Sequence, residues 1–324
     1  MLDLLLLVLQ KLVAEQNNMR RLFAFGCSYT SYSWPTWADY AGIDFDVVQN
    51  WGMSGIGNRA IAERVAEANI KYQFTEDDVV IIQWSSHLRN DFWHQHSLPE
   101  RHTGWKTAGS IFNYINEKLY DKKWINTFFF EPAYFMHTLN YISMTQGLLK
   151  STGCKWYMTS IGDIRNMGSD LRDNDGIGEQ TDFLKPQDRD QDMVAWKKIP
   201  ELAVYNKPIW EDHADHWLTP MEVMAKETPE LTLEFIDTVR KNKTFLDTHP
   251  SPRQHLLWVE KELKDKLQLS EESIKIANEV VDGIEETYQK FKFNKQTFEL
   301  MMAKRVGFPP SAHVLKWPFR YEGF

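Results

Sequence analysis

The residues best suited to chemistry form the segment Gly26–Thr30 (GCSYT), which follows the apolar run Arg21–Phe25. A glycine permits a sharp turn at a strand end, and Ser28 would then lie at the rim of a parallel sheet, where functional groups gather. If a helix follows, its first N–H groups would point at that rim and could bind an oxyanion on the carbon that Ser28 attacks. The alternative is that Ser28 caps a helix, and the segment taken alone favours that alternative.

A base for this serine is present in the segment DTHP at residues 247–250. A serine hydroxyl is a poor nucleophile until a base takes its proton, and a histidine can do so near neutral pH when a carboxylate fixes its tautomer. Asp247 and His249 stand two residues apart in a loop before a predicted helix, so both side chains could turn to the same rim. The alternative is a surface turn of a kind that arises often by chance.

A third segment, NWGMSGIGN at residues 50–58, follows the second predicted strand. Gly55 or Gly57 could present a backbone N–H with no side chain in the way, and Asn58 could add a side-chain donor. The alternative is a simple turn from strand to helix. The spacing GxGxxG is absent, so the segment does not predict a dinucleotide site.

The elements that must position these segments alternate between strands and helices, as in βαβ units. The β-branched run VVIIQWSS at residues 79–86 indicates a buried strand of a parallel sheet. The acid-rich residues 163–192 break the pattern and predict a surface insertion. The predicted strands span residues 21–25, 44–52, 79–86 and 155–161, and the predicted helices span residues 59–72, 128–149, 253–267 and 271–291.

The three segments resemble blocks of the SGNH (GDSL-like) hydrolase superfamily in their amino-acid identities, their order along the chain and their placement after strands. The block GCSYT implies Ser28 as the nucleophile, NWGMSGIGN implies Gly55 as an oxyanion donor, and DTHP implies Asp247 and His249 as acid and base. The resemblance covers most of the chain and implies a three-layer, flavodoxin-like α/β fold with a mostly parallel sheet. It also implies a serine esterase that needs no cofactor, and we predict no metal site.

Two departures from the family pattern bear on this site. The family's third block reads Gly-x-Asn-Asp after the third strand, whereas here His87 stands where the oxyanion Asn is expected. Asn58 or Asn90 could replace that donor, or His87 could donate itself. We expect Asn58 to be the better donor, because a neutral imidazole donates from one nitrogen only. The family's Asp stands three residues before its His, whereas Asp247 stands two before, which leaves its role open.

Length and composition bound the remaining possibilities. The 324 residues, 43% hydrophobic and 25% charged, are typical of a globular protein. We predict an α/β domain over residues 19–267, with a large insertion at about 163–244 and a helical C-terminal extension over 268–324. The net charge of −8 argues against binding to nucleic acids or anionic membranes, and two cysteines provide no disulfide framework.

Residues 1–18 are predicted to be a separate apolar extension. Their run Leu4–Leu9 is too short to span a bilayer, and Asp3 stands where a signal peptide would be basic. The segment is either a short helix that packs on the body or on a partner, or an extension upstream of a start at Met19. No other segment predicts a membrane span.

The predicted substrate is a small acyl ester or an acylated glycan, from which acetyl or another acyl group would be removed. Short versions of the nucleophile block occur in viral and bacterial genomes, so the resemblance implies a protein of the cytoplasm or the virion. The competing hypothesis is a non-catalytic binding or structural protein of the same fold, whose N-terminal and C-terminal helices contact a second copy or a virion partner. The altered third block favours that hypothesis, whereas Ser28 and His249 favour catalysis.

Overall fold

The computed structural model describes residues 19–93, 105–110, 122–164, 204–237, 243–247 and 249–305. Its strands are β1 (Arg21–Phe25), β2 (Val47–Asn50), β3 (Asp78–Trp84), β4 (Arg89–Trp93), β5 (Trp105–Ser110), β6 (Lys155–Ser160), β7 (Glu234–Asp237) and β8 (Lys243–Leu246). Its α-helices are α1 (Trp37–Gly42), α2 (Asn58–Tyr72), α3 (Lys122–Phe128), α4 (Glu131–Thr152), α5 (Met221–Glu227), α6 (Pro252–Trp258), α7 (Lys264–Leu267), α8 (Glu271–Phe291) and α9 (Lys295–Arg305).

Four of these strands form a parallel sheet in the order β2-β1-β3-β6. Every residue of β3 is buried, so both faces of the sheet are covered, as the continuous apolar run predicts. The strand order reverses between β1 and β3. In open α/β sheets, ligands bind at such a reversal, beyond the carboxyl ends of the strands.

Helices cover the two faces of this sheet. Right-handed crossovers place α1 on one face and α2 and α4 on the other. The packing agrees, because α2 contacts α4 while α1 contacts α6. Helix α8 contacts both α1 and α6, and it buries Ile274, Ala277 and Val281 in the main hydrophobic core. The segment predicted as a C-terminal extension therefore shares the core of the α/β domain.

A second, smaller apolar cluster joins the C-terminal helices to the segment after β1. Trp34 comes from that segment, Phe235 from β7 and Phe298 from α9. The ring of Phe298 lies 6.0 Å from that of Trp34 and 5.6 Å from that of Phe235, measured between centroids. The cluster fixes α9 against the chain that follows Ser28.

Most predicted elements are present. Strand β1 and helix α8 have the predicted bounds, and the helix predicted over residues 253–267 begins at Pro252 and includes a π-helical turn at Val259–Leu263. The antiparallel pairs β4–β5 and β7–β8 and the short helix α1 were not predicted. The coarse prediction of an α/β protein with a mostly parallel sheet is confirmed.

Parts of three sequence predictions lie outside the described residues. They are the apolar extension 1–18, residues 165–203 and 238–242 of the predicted insertion, and the end of the chain at 306–324. The later part of the predicted insertion is described, and its Ile209 and Leu218 belong to the main core. That part packs as a component of the domain.

Candidate active site

Ser28, His249 and Asp247 meet in one hydrogen-bonded chain. His249 Nε2 lies 2.9 Å from Ser28 Oγ, and His249 Nδ1 lies 2.8 Å from Asp247 Oδ1. The carboxylate can only accept, so Nδ1 carries the hydrogen and Nε2 accepts from the serine hydroxyl. Ser28 and Asp247 are buried, while the His249 side chain is 23% exposed. This arrangement lets a base take the proton of a serine nucleophile.

The turn that carries Ser28 is tight and short. The N–H of Thr30 donates to the carbonyl of Cys27 at 3.0 Å, and regular helix begins only at Trp37. The chain therefore does not enter a long helix directly after the serine, which was the condition for an oxyanion site at a helix N-terminus. The Ser28 hydroxyl contacts the imidazole and caps no helix of the described chain.

Gly26 lets β1 end in this turn. Its φ is +157°, and a Cβ there would lie 2.2 Å from Thr30 Oγ1 and 3.0 Å from both the Cβ and the carbonyl oxygen of Gln83. The Thr30 hydroxyl in turn donates to Gln83 Oε1 at 3.0 Å. The serine turn is thus packed against β3 with no room for a side chain at residue 26.

We expect Gly26→Ala to lower the free energy of unfolding by about 2–4 kcal/mol, because the new methyl group clashes and the backbone angle suits glycine. Urea unfolding measures this change. Gly147→Ala is the matched control, since a Cβ on that exposed residue of α4 would meet nothing within 4 Å. That control should be neutral or stabilise the protein by up to about 1 kcal/mol. Equal effects at the two glycines would contradict the packing described for Gly26.

The glycine segment after β2 is attached to the serine turn. Asn50 Nδ2 donates to the carbonyl of Thr30 at 2.8 Å, and its Oδ1 accepts from the N–H of Gly52 at 2.9 Å. The N–H of Met53 donates to the carbonyl of Gly26 at 2.9 Å. These bonds hold the carboxyl ends of β1 and β2 in one unit.

Asp247 and His249 are positioned by the elements on either side of them. Strand β8 leads directly into Asp247, and α6 begins with a capping box in which Ser251 and Gln254 each bond the other's backbone N–H. Trp34 Nε1 donates to the carbonyl of Pro250 at 3.1 Å, which ties this loop to the chain after Ser28. Ser251 is the N-cap of this helix and Pro252 is its first helical residue.

Two tyrosines that follow Ser28 in the chain pack on the imidazole of His249. The ring of Tyr32 is stacked on His249 with centroids 3.9 Å apart and an interplanar angle of 20°, and Tyr29 approaches edge-on at 5.5 Å. Contacts on a face and an edge restrict rotation of the ring. They keep Nε2 directed at Ser28.

Asp247 is ionised by its partners in spite of its burial. Burial would raise the pKa of its carboxyl, but hydrogen bonds from His249 and from Lys295 outweigh burial and lower the pKa to about 2. Lys295 Nζ lies 2.5 Å from Asp247 Oδ2, and the hydroxyl of Tyr32 donates to the same oxygen at 3.4 Å. The carboxylate is therefore charged throughout the pH range in which a histidine base works.

Two backbone N–H groups are available for an oxyanion. Those of Ser28 and Gly55 donate to no acceptor within the described ranges of the chain. Gly55 has a φ of +79°, in the left-handed region that favours glycine, and the residue is partly exposed. The lack of an acceptor among the described residues suits the oxyanion role that the resemblance implies for Gly55, and it leaves the N–H of Ser28 free for the same role within those residues.

The side chain of Asn58 is engaged elsewhere, which corrects its interpretation as an oxyanion donor. Its Nδ2 donates to the carbonyl of Ser85 at 2.9 Å and to Thr138 Oγ1 at 3.1 Å, so both amide hydrogens are used. Its Oδ1 accepts from the N–H of Ser85 at 2.7 Å. Asn58 therefore joins the first turn of α2 to the chain after β3, a role that residue type alone does not reveal.

We expect Asn58→Ala to lower the free energy of unfolding by about 2–4 kcal/mol, because it leaves the buried N–H and carbonyl of Ser85 without partners. Urea unfolding checks this. Asn206→Ala, whose amide contacts the side chain of Glu211 at the surface, should change stability by less than about 0.5 kcal/mol. Unchanged stability of Asn58→Ala together with a large loss of kcat would restore Asn58 to the oxyanion site.

His87 stands three residues after the end of β3, at the position where the third block of the pattern has its Asn. Its side chain is 4% exposed and meets the ring of Phe135 edge-on, with centroids 5.3 Å apart. Asn90, the other alternative for the missing donor, lies in β4. The oxyanion role of His87 stays a prediction.

Sequence reasoning missed two residues that contact the pair of Asp247 and His249. Tyr32 stands four residues after Ser28, so its proximity to the nucleophile was a signal that could have been used. Lys295 is separated from His249 by three helices, and nothing in its neighbourhood marks it. It reaches the site only because α8 turns the chain back towards β7.

No model of a known protein family matches the chain, and no curated protein matches it in sequence. In the part of the chain that the structure describes, no helix combines the length and the apolar character needed to cross a membrane. Within the same residues, no group of three or more His, Cys, Asp or Glu side chains could hold a metal ion.

Proposed function

We propose that the protein is a serine acyl hydrolase of the SGNH type that acts on ester bonds. The observation that carries the proposal is the chain from Ser28 Oγ to His249 Nε2 at 2.9 Å and from His249 Nδ1 to Asp247 Oδ1 at 2.8 Å. The two partners are 221 residues apart in sequence, so their contact is a property of the fold. A hydroxyl without a catalytic role does not need a base held in this orientation.

The chemistry follows from the positions of the atoms. His249 Nε2 takes the proton of Ser28 as Oγ bonds to the ester carbonyl carbon, and the carbonyl electrons move to oxygen. When the oxyanion collapses, the bond to the alcohol breaks and Nε2 returns the proton to the leaving oxygen. Water then attacks the acyl-serine in the same way, which releases the acid and restores the hydroxyl of Ser28.

The charge on the oxyanion would be met by the N–H groups of Ser28 and Gly55, which have no described acceptor. One preorganised donor is commonly worth about 100- to 1000-fold in rate, so two backbone donors can support catalysis without Asn58. Asp247 stabilises the imidazolium that forms when Nε2 takes the proton. It also keeps the hydrogen of the neutral ring on Nδ1.

The architecture of the described residues supports the assignment to the SGNH type. The parallel order β2-β1-β3-β6 corresponds to the first four positions of the flavodoxin-like order, and Ser28 follows β1, where that order reverses. The helices on both faces fit a three-layer domain. The substrate class, an acetylated or otherwise acylated alcohol such as a glycan, is proposed from the resemblance of the three sequence blocks.

The proposal is tested by labelling the intact protein with a fluorophosphonate, which reacts only with an activated serine. We expect one adduct, located by mass spectrometry on the peptide that carries Ser28. Heat-unfolded protein is the control and should not be labelled. Absence of labelling at Ser28 in folded protein would overturn the proposal in favour of a non-catalytic binding or structural protein.

A further inference from the structure

The side of Asp247 that faces away from His249 contacts a cation supplied by the C-terminal segment. Lys295 Nζ lies 2.5 Å from Asp247 Oδ2, and it donates to the hydroxyl of Tyr32 at 3.3 Å. The side chains of Lys295 and Asp247 are 27% and 2% exposed, so the ion pair is shielded from bulk water. An ion pair in this position is stronger than one on an open surface.

Lys295 stands at a position in its helix that is unfavourable for a cation, and a contact outside the helix stabilises it there. Lys295 is the first residue of α9, and the N-cap Asn294 accepts a hydrogen bond from the N–H of Thr297 at 3.0 Å. A cation in the first turn is disfavoured by the helix dipole. The carboxylate of Asp247 offsets that cost, and Phe298 of the same helix anchors it in the second apolar cluster.

We propose that Lys295 is a positioning residue of the active site, which holds the second carboxylate oxygen of Asp247 and thereby fixes the pair of Asp247 and His249. Helix α9 is on this view a component of the catalytic machinery. This inference rests on the proposed function, because it assigns Lys295 a role in activating Ser28.

The charges around Asp247 and His249 determine in which direction the pH dependence of Ser28 labelling moves when Lys295 is replaced. Burial raises the pKa of Tyr32 to about 12 and, with His249 nearby, lowers the pKa of His255 to about 3, so both are neutral near pH 7. Tyr29 meets only the edge of the imidazole. Among the described residues, the charged groups that remain are Asp247, Lys295 and Glu299, which lies 3.6 Å from the lysine.

Lys295 opposes the field of Asp247 at the imidazole. Without the cation, the carboxylate would favour the protonated ring more strongly, and a protonated ring cannot take the proton of Ser28. The acid limb of the labelling profile should therefore move to higher pH in Lys295→Met.

The test measures the second-order rate of fluorophosphonate labelling against pH in the full-length protein. We expect Lys295→Met to lower the rate at pH 6 about 10- to 100-fold, the range that one charge-assisted hydrogen bond can account for. Lys295→Arg should restore most of the rate and the original profile. Lys290→Met is the matched control, since that lysine is exposed at the end of α8, and it should label as the unaltered protein does.

A double substitution separates positioning from general support of the fold. If Lys295 acts through the charge of Asp247, Lys295→Met should have little further effect on labelling in a protein that already carries Asp247→Asn. A merely structural lysine would lower the rate equally in both backgrounds, leave the profile unmoved and not be rescued by arginine. Any of those results would overturn the inference.

The remaining outcomes are also decisive. If the unaltered protein labels at Ser28 and Lys295→Met labels with the same rate and profile, the inference fails while the proposed function stands. If the unaltered protein is not labelled, the proposed function fails first. If both Lys295→Met and Lys295→Gln are unfolded by circular dichroism, the lysine is a structural residue and the inference is wrong.

Discussion

Ser28→Ala is expected to lower the hydrolysis of a short p-nitrophenyl ester by about 10³- to 10⁶-fold, because it removes the oxygen that we propose as the nucleophile. Stability should change by less than about 1 kcal/mol. The Ser28 hydroxyl contacts the imidazole at 2.9 Å, and its other described neighbour is Cys27 Sγ at 4.0 Å. No backbone group therefore depends on it.

Ser31→Ala is the control for this experiment. Ser31 is buried in the same turn, and its hydroxyl has no hydrogen-bond partner among the described residues, so its removal should leave kcat/KM unchanged. Initial rates and urea unfolding are measured on both variants. Residual activity of Ser28→Ala near that of the unaltered protein would show that another group attacks the ester.

The elements that local signals specify were predictable from the sequence. The apolar run of β1 ends at a glycine, and the amphipathic helix α8 is preceded by the N-cap Ser270, so both have the predicted bounds. The hairpin of β7 and β8 was not predictable in this way. Its strands have four residues each, too few for a periodic pattern to be distinguished from chance, and its place depends on packing against α9.

The residues of the candidate site show the same difference between what local sequence specifies and what depends on packing. The order and strand placement of the sequence blocks led to Ser28, Asp247 and His249, which the fold brings together. Asn58 was misinterpreted because a side-chain amide is equally suited to bind an oxyanion or to join two loops, and only the position of Ser85 decides between them. Lys295 was missed because its role depends on where α9 packs, which local sequence does not specify.

Asp247→Asn is expected to lower kcat/KM for the same ester by about 10⁴-fold, the loss that follows when a base is held in the wrong tautomer. An amide that directs its N–H at Nδ1 would move the ring hydrogen to Nε2, and Nε2 could then no longer accept the proton of Ser28. The substitution also leaves Lys295 without its carboxylate, so the free energy of unfolding should fall by about 2–4 kcal/mol.

Asp77→Asn is the matched control, because it also removes one acidic charge. Asp77 is exposed and precedes the amino end of β3, whereas the site lies beyond the carboxyl ends of the strands. This substitution should change neither kcat/KM nor the free energy of unfolding. Retention of more than about a tenth of the activity by Asp247→Asn would show that Asp247 does not orient the base. The spacing of Asp247 two residues before His249 would then be a functional departure from the pattern that the sequence resembles. Tyr32 and Tyr29, whose ring centroids lie 3.9 Å and 5.5 Å from that of the imidazole, would be the described residues left to hold the ring.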